Sequence, residues 1–438
     1  MSDWSSHSRV WRIAGPMILS NLTVPLLGIV DTAVVGHLDE PYHMGAVSIG
    51  AAIFGIVFWG FGFLRMGTTG ITAQAFGQND NNELRATLGR ALLIAVIMSL
   101  LLLVMQLPIG WLAFQVIQGS ELVEQQGRVY FDIRIWSAPA TLMNYVLLGW
   151  FLGMQNARAP LYILTFVNLI NMLLDLLFVV GWGYGANGVA WASLIAEYFG
   201  LAFALWLVKQ QLARYPGELQ RALLMDKRKV RKMLSINKDI FIRNLCLMFS
   251  LAFFTAQGER FGDVVLAANA VLFNMYTFMA YGLDGFAHAA EALVGKAVGA
   301  RDRREYFAVI KTSAVWAFIT SVLIVISYWL AGYWVIALMT DIERVQQTAL
   351  TYLPWMLLLP LISVWSFLLD GIYIGTTRAA EMRNTMLFST FFIFLPLWYL
   401  LLPMQNHGLW LAFTLFNTAR AVSMALLFKT ITDRSGVC

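Results

Sequence analysis

The chain has 438 residues, 59% of them hydrophobic and 13% charged, with a net charge of +5 and a mean hydropathy of +0.68. A soluble protein carries about a quarter charged residues, so a water-soluble globule of this composition is excluded. A disordered chain, which needs low hydrophobicity and high charge, is excluded too.

The apolar run from Val10 to Val35 is too long for a signal-peptide core and lacks a small-residue cleavage site, so it reads as a retained first span. A helix needs about 20 apolar residues to cross the hydrocarbon core. By that measure twelve spans follow in chain order: 10–36, 44–66, 87–112, 128–153, 158–181, 187–209, 235–256, 263–290, 308–338, 348–375, 385–403 and 407–429. The runs 263–290 and 308–338 are long enough to be tilted or to leave the bilayer at one end.

Twelve spans put both termini on one side. If that side is the cytoplasm, 26 of the 30 Lys and Arg residues fall in inner segments. Only Arg128, Arg134, Arg260 and Arg344 fall outside. The positive-inside rule supports both the count and cytoplasmic termini. The longest polar stretch, 209–238, is basic and reads as an inner-face linker held near anionic lipid. Positive charge dispersed between apolar runs is topology, so nucleic acid is not an expected partner. Cys246 and Cys438 are too few for a disulfide framework, and the five histidines show no metal-ligand spacing.

A repeat runs through the chain. Gly77-Gln78-Asn79-Asp80 recurs as Gly299-Ala300-Arg301-Asp302, an offset of 222. Glu83 with Glu305, Ala86 with Ala308, and Gly149 and Gly153 with Gly371 and Gly375 keep the same offset. Gly188 and Ala192 match Gly408 and Ala412 at 220. Each half then holds six spans. An even number gives both halves the same orientation, related by an axis along the membrane normal. The expected fold is an all-α polytopic membrane protein of twelve transmembrane helices in two like-oriented six-helix bundles. The expected division is an N-lobe at 1–209, a cytoplasmic basic linker at 210–234 and a C-lobe at 235–438. Two such bundles suit alternating access, hence a transporter.

An ionisable group inside a span costs at least about 2.5–3.5 kcal/mol on insertion scales and needs a partner or a purpose. Asp31 stands in the first span and Asp175 in the fifth. Spacings of three and four place Asn168, Asn171 and Asp175 on one helical face, and Ser193 with Glu197 on one face of the sixth span. At 1.5 Å per residue, Asp31, Asp175 and Ser193 all lie roughly 8–9 Å below the outer boundary. Carboxylate, amide and hydroxyl oxygens suit Na⁺. Two carboxylates in one apolar pocket do not easily both ionise, so the same cluster suits H⁺. A buried polar network that only joins helices is the competing reading. Pro25, six residues before Asp31, removes a backbone hydrogen bond and should bend or loosen its helix. The second half is no chemical copy. Phe253 and Leu397 stand where the repeat would put acids, and its own acids are Asp284, Glu291 and Asp370. His288, one turn from Asp284, could pair with it.

No Walker sequence, GxSxG or HExxH occurs. No cofactor is expected beyond H⁺ or Na⁺ as coupling ion. Asp284 with His288 is a faint candidate for an intramembrane enzyme.

The run Val24-Pro25-Leu26-Leu27-Gly28-Ile29-Val30-Asp31-Thr32-Ala33-Val34-Val35-Gly36, with Ala73-Gln74-Ala75-Phe76-Gly77 after the second span, resembles the multidrug and toxic compound extrusion (MATE) family. The segment Ala290-Glu291-Ala292-Leu293-Val294-Gly295-Lys296-Ala297-Val298-Gly299-Ala300-Arg301-Asp302, with Leu369-Asp370-Gly371, resembles its DinF-like, DNA-damage-inducible branch. The resemblance covers essentially the whole chain. It implies cation-coupled export of amphipathic, often cationic organic compounds by a two-lobed protein in the bacterial inner membrane, and a monomer is expected. It also implies a coupling site at Asp31, Asn171, Asp175 and Ser193, which would be the Na⁺ ligands if Na⁺ binds. Serine stands at Ser193 where relatives carry a threonine. A bend at Pro25 is the implied switch. Asn21, Asn168 and Glu197 are expected in the substrate or polar network, and Asp284, His288, Glu291 and Asp370 are secondary candidates. The alternative is a flippase for lipid or lipid-linked oligosaccharide. It would want a cationic cleft, whereas the inferred cleft residues are acidic or amide.

Overall fold

The computed structural model describes residues 3–36, 38, 40–117 and 119–437. Cys438 and the side chains of Leu26, Ile29 and Thr32, all named above, lie outside that description. Among the described residues every regular element is helical. The chain is α1 (Asp3–Gly36), α2 (Tyr42–Gly60), α3 (Phe63–Gly77), α4 (Asn81–Val104), α5 (Gln106–Val116), α6 (Glu121–Arg134), α7 (Ala138–Gly153), α8 (Arg158–Asp175), α9 (Gly185–Ala213), α10 (Arg221–Leu224), α11 (Lys227–Glu259), α12 (Asp263–Gly299), α13 (Arg303–Met339), α14 (Glu343–Gly375), α15 (Ala379–Phe388), α16 (Leu395–Leu400) and α17 (Gln405–Arg434).

Among the described residues ten helices or near-continuous helix pairs are long and apolar enough to cross a membrane. Two more segments complete the twelve: α1, with 34 residues, and the continuous stretch from Ala379 to Leu400. In a bilayer every backbone polar group must be satisfied inside the segment, which helices achieve. The outward side chains are oily. Leu107, Leu338 and Leu426 are 79%, 89% and 77% exposed, a pattern stable only against lipid. This is a multi-pass membrane protein.

The helices run beyond the apolar stretches, because amphipathic ends continue them past the hydrocarbon. The 263–290 span is part of a 37-residue helix, and so is 308–338. The third span is interrupted at Met105 between α4 and α5. Pro108 lies one turn further on and has no N–H to give the Val104 carbonyl. α1 passes through Pro25 as one unbroken helical segment.

Packing divides the described chain into two compact units, Leu19–Met233, and Met1–Ile18 with Leu234–Cys438. The start of α1 therefore packs with the carboxy-terminal unit, where Arg9 pairs with Glu305 and Trp316 Nε1 donates to His7 Nδ1 at 2.9 Å. The first turn of α11 packs with the amino-terminal unit, where Lys229 Nζ reaches Glu83 Oε2 at 2.6 Å and Arg90 pairs with the same carboxylate.

The repeat is built into both units. Asp80 caps α4 by accepting from Glu83 N at 2.9 Å, and Asp302 caps α13 by accepting from Glu305 N at 2.9 Å. Asn79 and Arg301 both take positive φ just before these caps. Gly149 lets α7 lie against the Arg65 carbonyl of α3, and Gly371 lets α14 lie against the Ala287 carbonyl of α12, again 222 residues on. Small residues at such crossings let membrane helices approach closely. α8 ends in a widened π turn, Leu176–Gly181, and α15 in another, Ser389–Phe394.

A Cβ at Gly149 or Gly371 would overlap a backbone carbonyl that has nowhere to go. Gly149→Ala and Gly371→Ala should each destabilise the protein by about 1–3 kcal/mol. Gly55, in α2, meets nothing within 4 Å, so Gly55→Ala should be neutral or slightly stabilising. Thermal unfolding of the purified protein in detergent checks the contrast.

Candidate functional site

The site is assembled in the amino-terminal unit from α1, α6, α8 and α9. Asp175 ends α8 and is fully buried, with Asn171 one turn earlier at 1% exposure. The π turn begins at the next residue. π-bulges widen a helix and recur at functional positions. Asn171 Nδ2 donates to Ser193 Oγ of α9 at 2.9 Å, so the amide and hydroxyl are one unit. Asp31, half-buried on α1, interacts side chain to side chain with Asp175. As two carboxylates they bring acceptors and no donor. Among the described residues Asp31 Oδ1, both oxygens of Asp175 and Asn171 Oδ1 are buried without a hydrogen-bond partner. These are four oxygen acceptors on two helices, with no donor bonded to them. A proton shared between the carboxyl groups, or a small hard cation among the oxygens, supplies the missing partner.

Arg134 also belongs to this site, and the sequence reading counted it only as an outer charge. It ends α6, where a 3₁₀ turn over Ile135–Ser137 leads to α7. Its guanidinium carbon is 6.0 Å from the ring centres of both Phe54 and Phe58 of α2. Its charge acts on both Asp31 and Asp175, and its Nη1 is buried without a partner. A long-range contact from another helix carries no signature at i±3 or i±4, which is why spacing did not find it.

The other residues of the expected network stand around this centre. Asn168 Nδ2 donates to the Thr23 carbonyl of α1 at 3.4 Å. Glu197 is engaged by Asn144, whose Nδ2 lies 3.0 Å from Glu197 Oε2 and 3.2 Å from its carbonyl. Glu197 is thus held by α7, away from the Asn171–Ser193 pair. Asn21 lies half-buried on α1, four residues before Pro25.

In the carboxy-terminal unit the candidates separate. His288 Nδ1 lies 3.4 Å from Glu291 Oε2, both on α12. Asp284, half-buried, is one turn earlier. Asp370 of α14 is at the middle of a different cluster. Its Oδ2 accepts from Arg243 of α11 and, at 2.8 Å, from Arg420 Nη2 of α17. With two guanidiniums on one carboxylate oxygen, Asp370 is already neutralised and poorly placed to take a cation. Arg243 and Arg420 lie inside the predicted spans 235–256 and 407–429, yet the charge count treated both as inner-face residues. Two buried arginines thus stand in the carboxy-terminal unit beside its acids. Among the described residues no three His, Cys, Asp or Glu side chains gather as a metal set.

Among the described residues Ser193 Oγ accepts the buried Asn171 amide N–H. Ser193→Ala should cost about 1–3 kcal/mol of stability, with Ser193→Thr recovering most of it because the oxygen is kept. Unfolding in detergent measures both.

Comparison with known proteins follows the same lines. A family model described as MatE matches residues 16–177 and 240–400. The DNA damage-inducible protein F of Escherichia coli (strain K12) is 43% identical over 428 residues, covering 97% of this chain and 92% of that protein. The "Probable multidrug resistance protein NorM" of Photorhabdus laumondii is 24% identical over 454 aligned positions, covering 98% and 96% of the two chains. Among solved structures, a mutant of the Vibrio cholerae MATE transporter VcmN superposes with a TM-score of 0.88 at 18% identity, covering 99% of this chain and 98% of that one.

Proposed function

Because this chain belongs to the MatE family, and is a transporter and not an enzyme, we propose that it exports amphipathic, often cationic organic compounds across the bacterial inner membrane in exchange for inward H⁺ or Na⁺. The observation that carries this reading is the interaction of two carboxyl groups, Asp31 and Asp175, three of whose oxygens find no hydrogen-bond partner among the described residues. A permanent ligand is not needed there. A cation that arrives from outside and leaves inside is.

The cycle follows from the charges. With the site empty, the carboxyl groups repel each other, and Arg134 offsets one of the two negative charges. Entry of a cation removes the repulsion and lets α1 pack against α8 and α9. Asp31 and Asn168 both tie α1 to α8, so occupancy is felt along α1 on both sides of Pro25. That change in packing is the step that favours release of the organic compound. Each inward elementary charge supplies about 2.3 kcal/mol per 100 mV, and a proton about 1.4 kcal/mol more per pH unit. No nucleotide is required. The basic segment 209–238 and both termini lie on the cytoplasmic side in this reading.

A flippase acting on lipid or lipid-linked oligosaccharide is the second reading, favoured by one observation, the buried Arg243–Asp370–Arg420 cluster.

The test is dye efflux from proteoliposomes with an imposed pH gradient and an imposed Na⁺ gradient applied separately. Wild-type protein should extrude the dye under at least one of them. Asp31→Asn should abolish the gradient-driven component, about a hundredfold loss or more, at unchanged expression. Full efflux in that variant would remove the coupling role.

A further inference from the structure

The cluster around Asp370 has a regularity that cation coupling does not use. Two guanidiniums enter it from different helices, Arg243 from α11 and Arg420 from α17. Residue exposures are 7% and 2%. Each is held in the same way. Arg243 Nη1 donates to Asn244 Oδ1 at 3.1 Å, and Arg420 Nη1 donates to Asn417 Oδ1 at 3.2 Å. Each Nη2 donates to the single oxygen Asp370 Oδ2. Each Nε is buried with no acceptor. The edge formed by Nε and Nη2 is the fork that grips a carboxylate with two parallel hydrogen bonds. Both forks are therefore half-filled, and in the same place.

The charges agree with the geometry. Two guanidiniums share one carboxylate, leaving an excess positive charge in a medium where an uncompensated ion costs several kcal/mol. Asp284 of α12 is a further acid near this cluster. It acts on Tyr276, which also feels Arg243 and Arg420. Asp284 does not supply either Nε, because both remain without an acceptor.

We propose that Arg243 and Arg420 form a receptor for the carboxylate of a transported amphipathic compound, so that this protein handles acidic and zwitterionic substrates as well as cations. This rests on the transporter reading above, and it adds a substrate class to it. The incoming carboxylate takes the two free Nε–H groups, and Asp370 is its built-in competitor. Asn244 and Asn417 keep the guanidinium planes oriented when the acid is absent. Asp370 thereby tunes the affinity of the receptor and does not itself meet the ligand.

The experiment uses two dyes that differ in one group, tetramethylrhodamine, which carries a free carboxylate, and its methyl ester, which does not. Binding is read by fluorescence anisotropy on the full chain in phosphatidylcholine nanodiscs, with no gradient present. Arg420→Lys and Arg243→Lys keep the charge and lose the fork. Each should weaken the free acid by about tenfold while moving the ester less than about twofold. Asp370→Asn removes the competitor and should move the free acid the other way, to about tenfold tighter binding. A merely structural role would weaken both dyes together in all three variants. On the wild-type protein, laurate should displace the free acid and dodecylammonium should not, which keeps the proposal testable if a variant fails to fold. Equal shifts for the two dyes, or a wild-type protein that ignores the free acid, would overturn the receptor. Arginine-dependent binding without gradient-driven efflux would leave the receptor standing and sink the antiporter. Gradient-driven efflux with arginine-independent binding would do the reverse.

Discussion

Two carboxyl groups brought face to face in an oily wall are the constraint from which the amino-terminal unit is organised. Three oxygens of Asp31 and Asp175 find no hydrogen-bond partner among the described residues. In hydrocarbon such a contact does not persist unless positive charge comes to it. Asn171 and Ser193 lock each other, so their remaining oxygen sites are presented and not consumed. Arg134 offsets half of the negative charge from a distance and leaves the oxygens open.

The carboxy-terminal unit solves the same problem of buried charge with the opposite sign. Asp370 is enclosed by Arg243 and Arg420, and the excess there is positive. The two units are copies in backbone. Their caps, their left-handed residues before the caps and their glycine crossings recur at 222 residues. They are not copies in chemistry. The backbone repeat preserves helix packing, which depends on small residues and capping atoms.

The repeated glutamates show how the same capping position gained different partners. Glu83 and Glu305 both follow their capping aspartates by three residues. Glu305 holds Arg9 from the start of α1, and Glu83 holds Arg90 together with Lys229 from the start of α11. α1 and α11 each open their half of the repeat, and each begins in the unit that the other half mainly builds. A single helix therefore carries residues of both units.

The spans, the repeat and the acid cluster were legible because each leaves a local trace. Hydrophobic length marks a crossing helix, a constant offset marks a repeat, and spacings of three and four put Asn171 and Asp175 on one face. The family resemblance came from contiguous runs around Asp31 and Asp370. What the chain did not reveal by itself is which distant side chains meet. Arg134 acts on the acids through its charge, Asn144 takes Glu197, and Arg243 and Arg420 converge on Asp370 from helices far apart in sequence. A buried arginine and a cytoplasmic one look alike in a charge count. Only the crossing of helices decides whether a guanidinium ends in water or against a carboxylate, because that depends on packing between segments and not on the residues beside it.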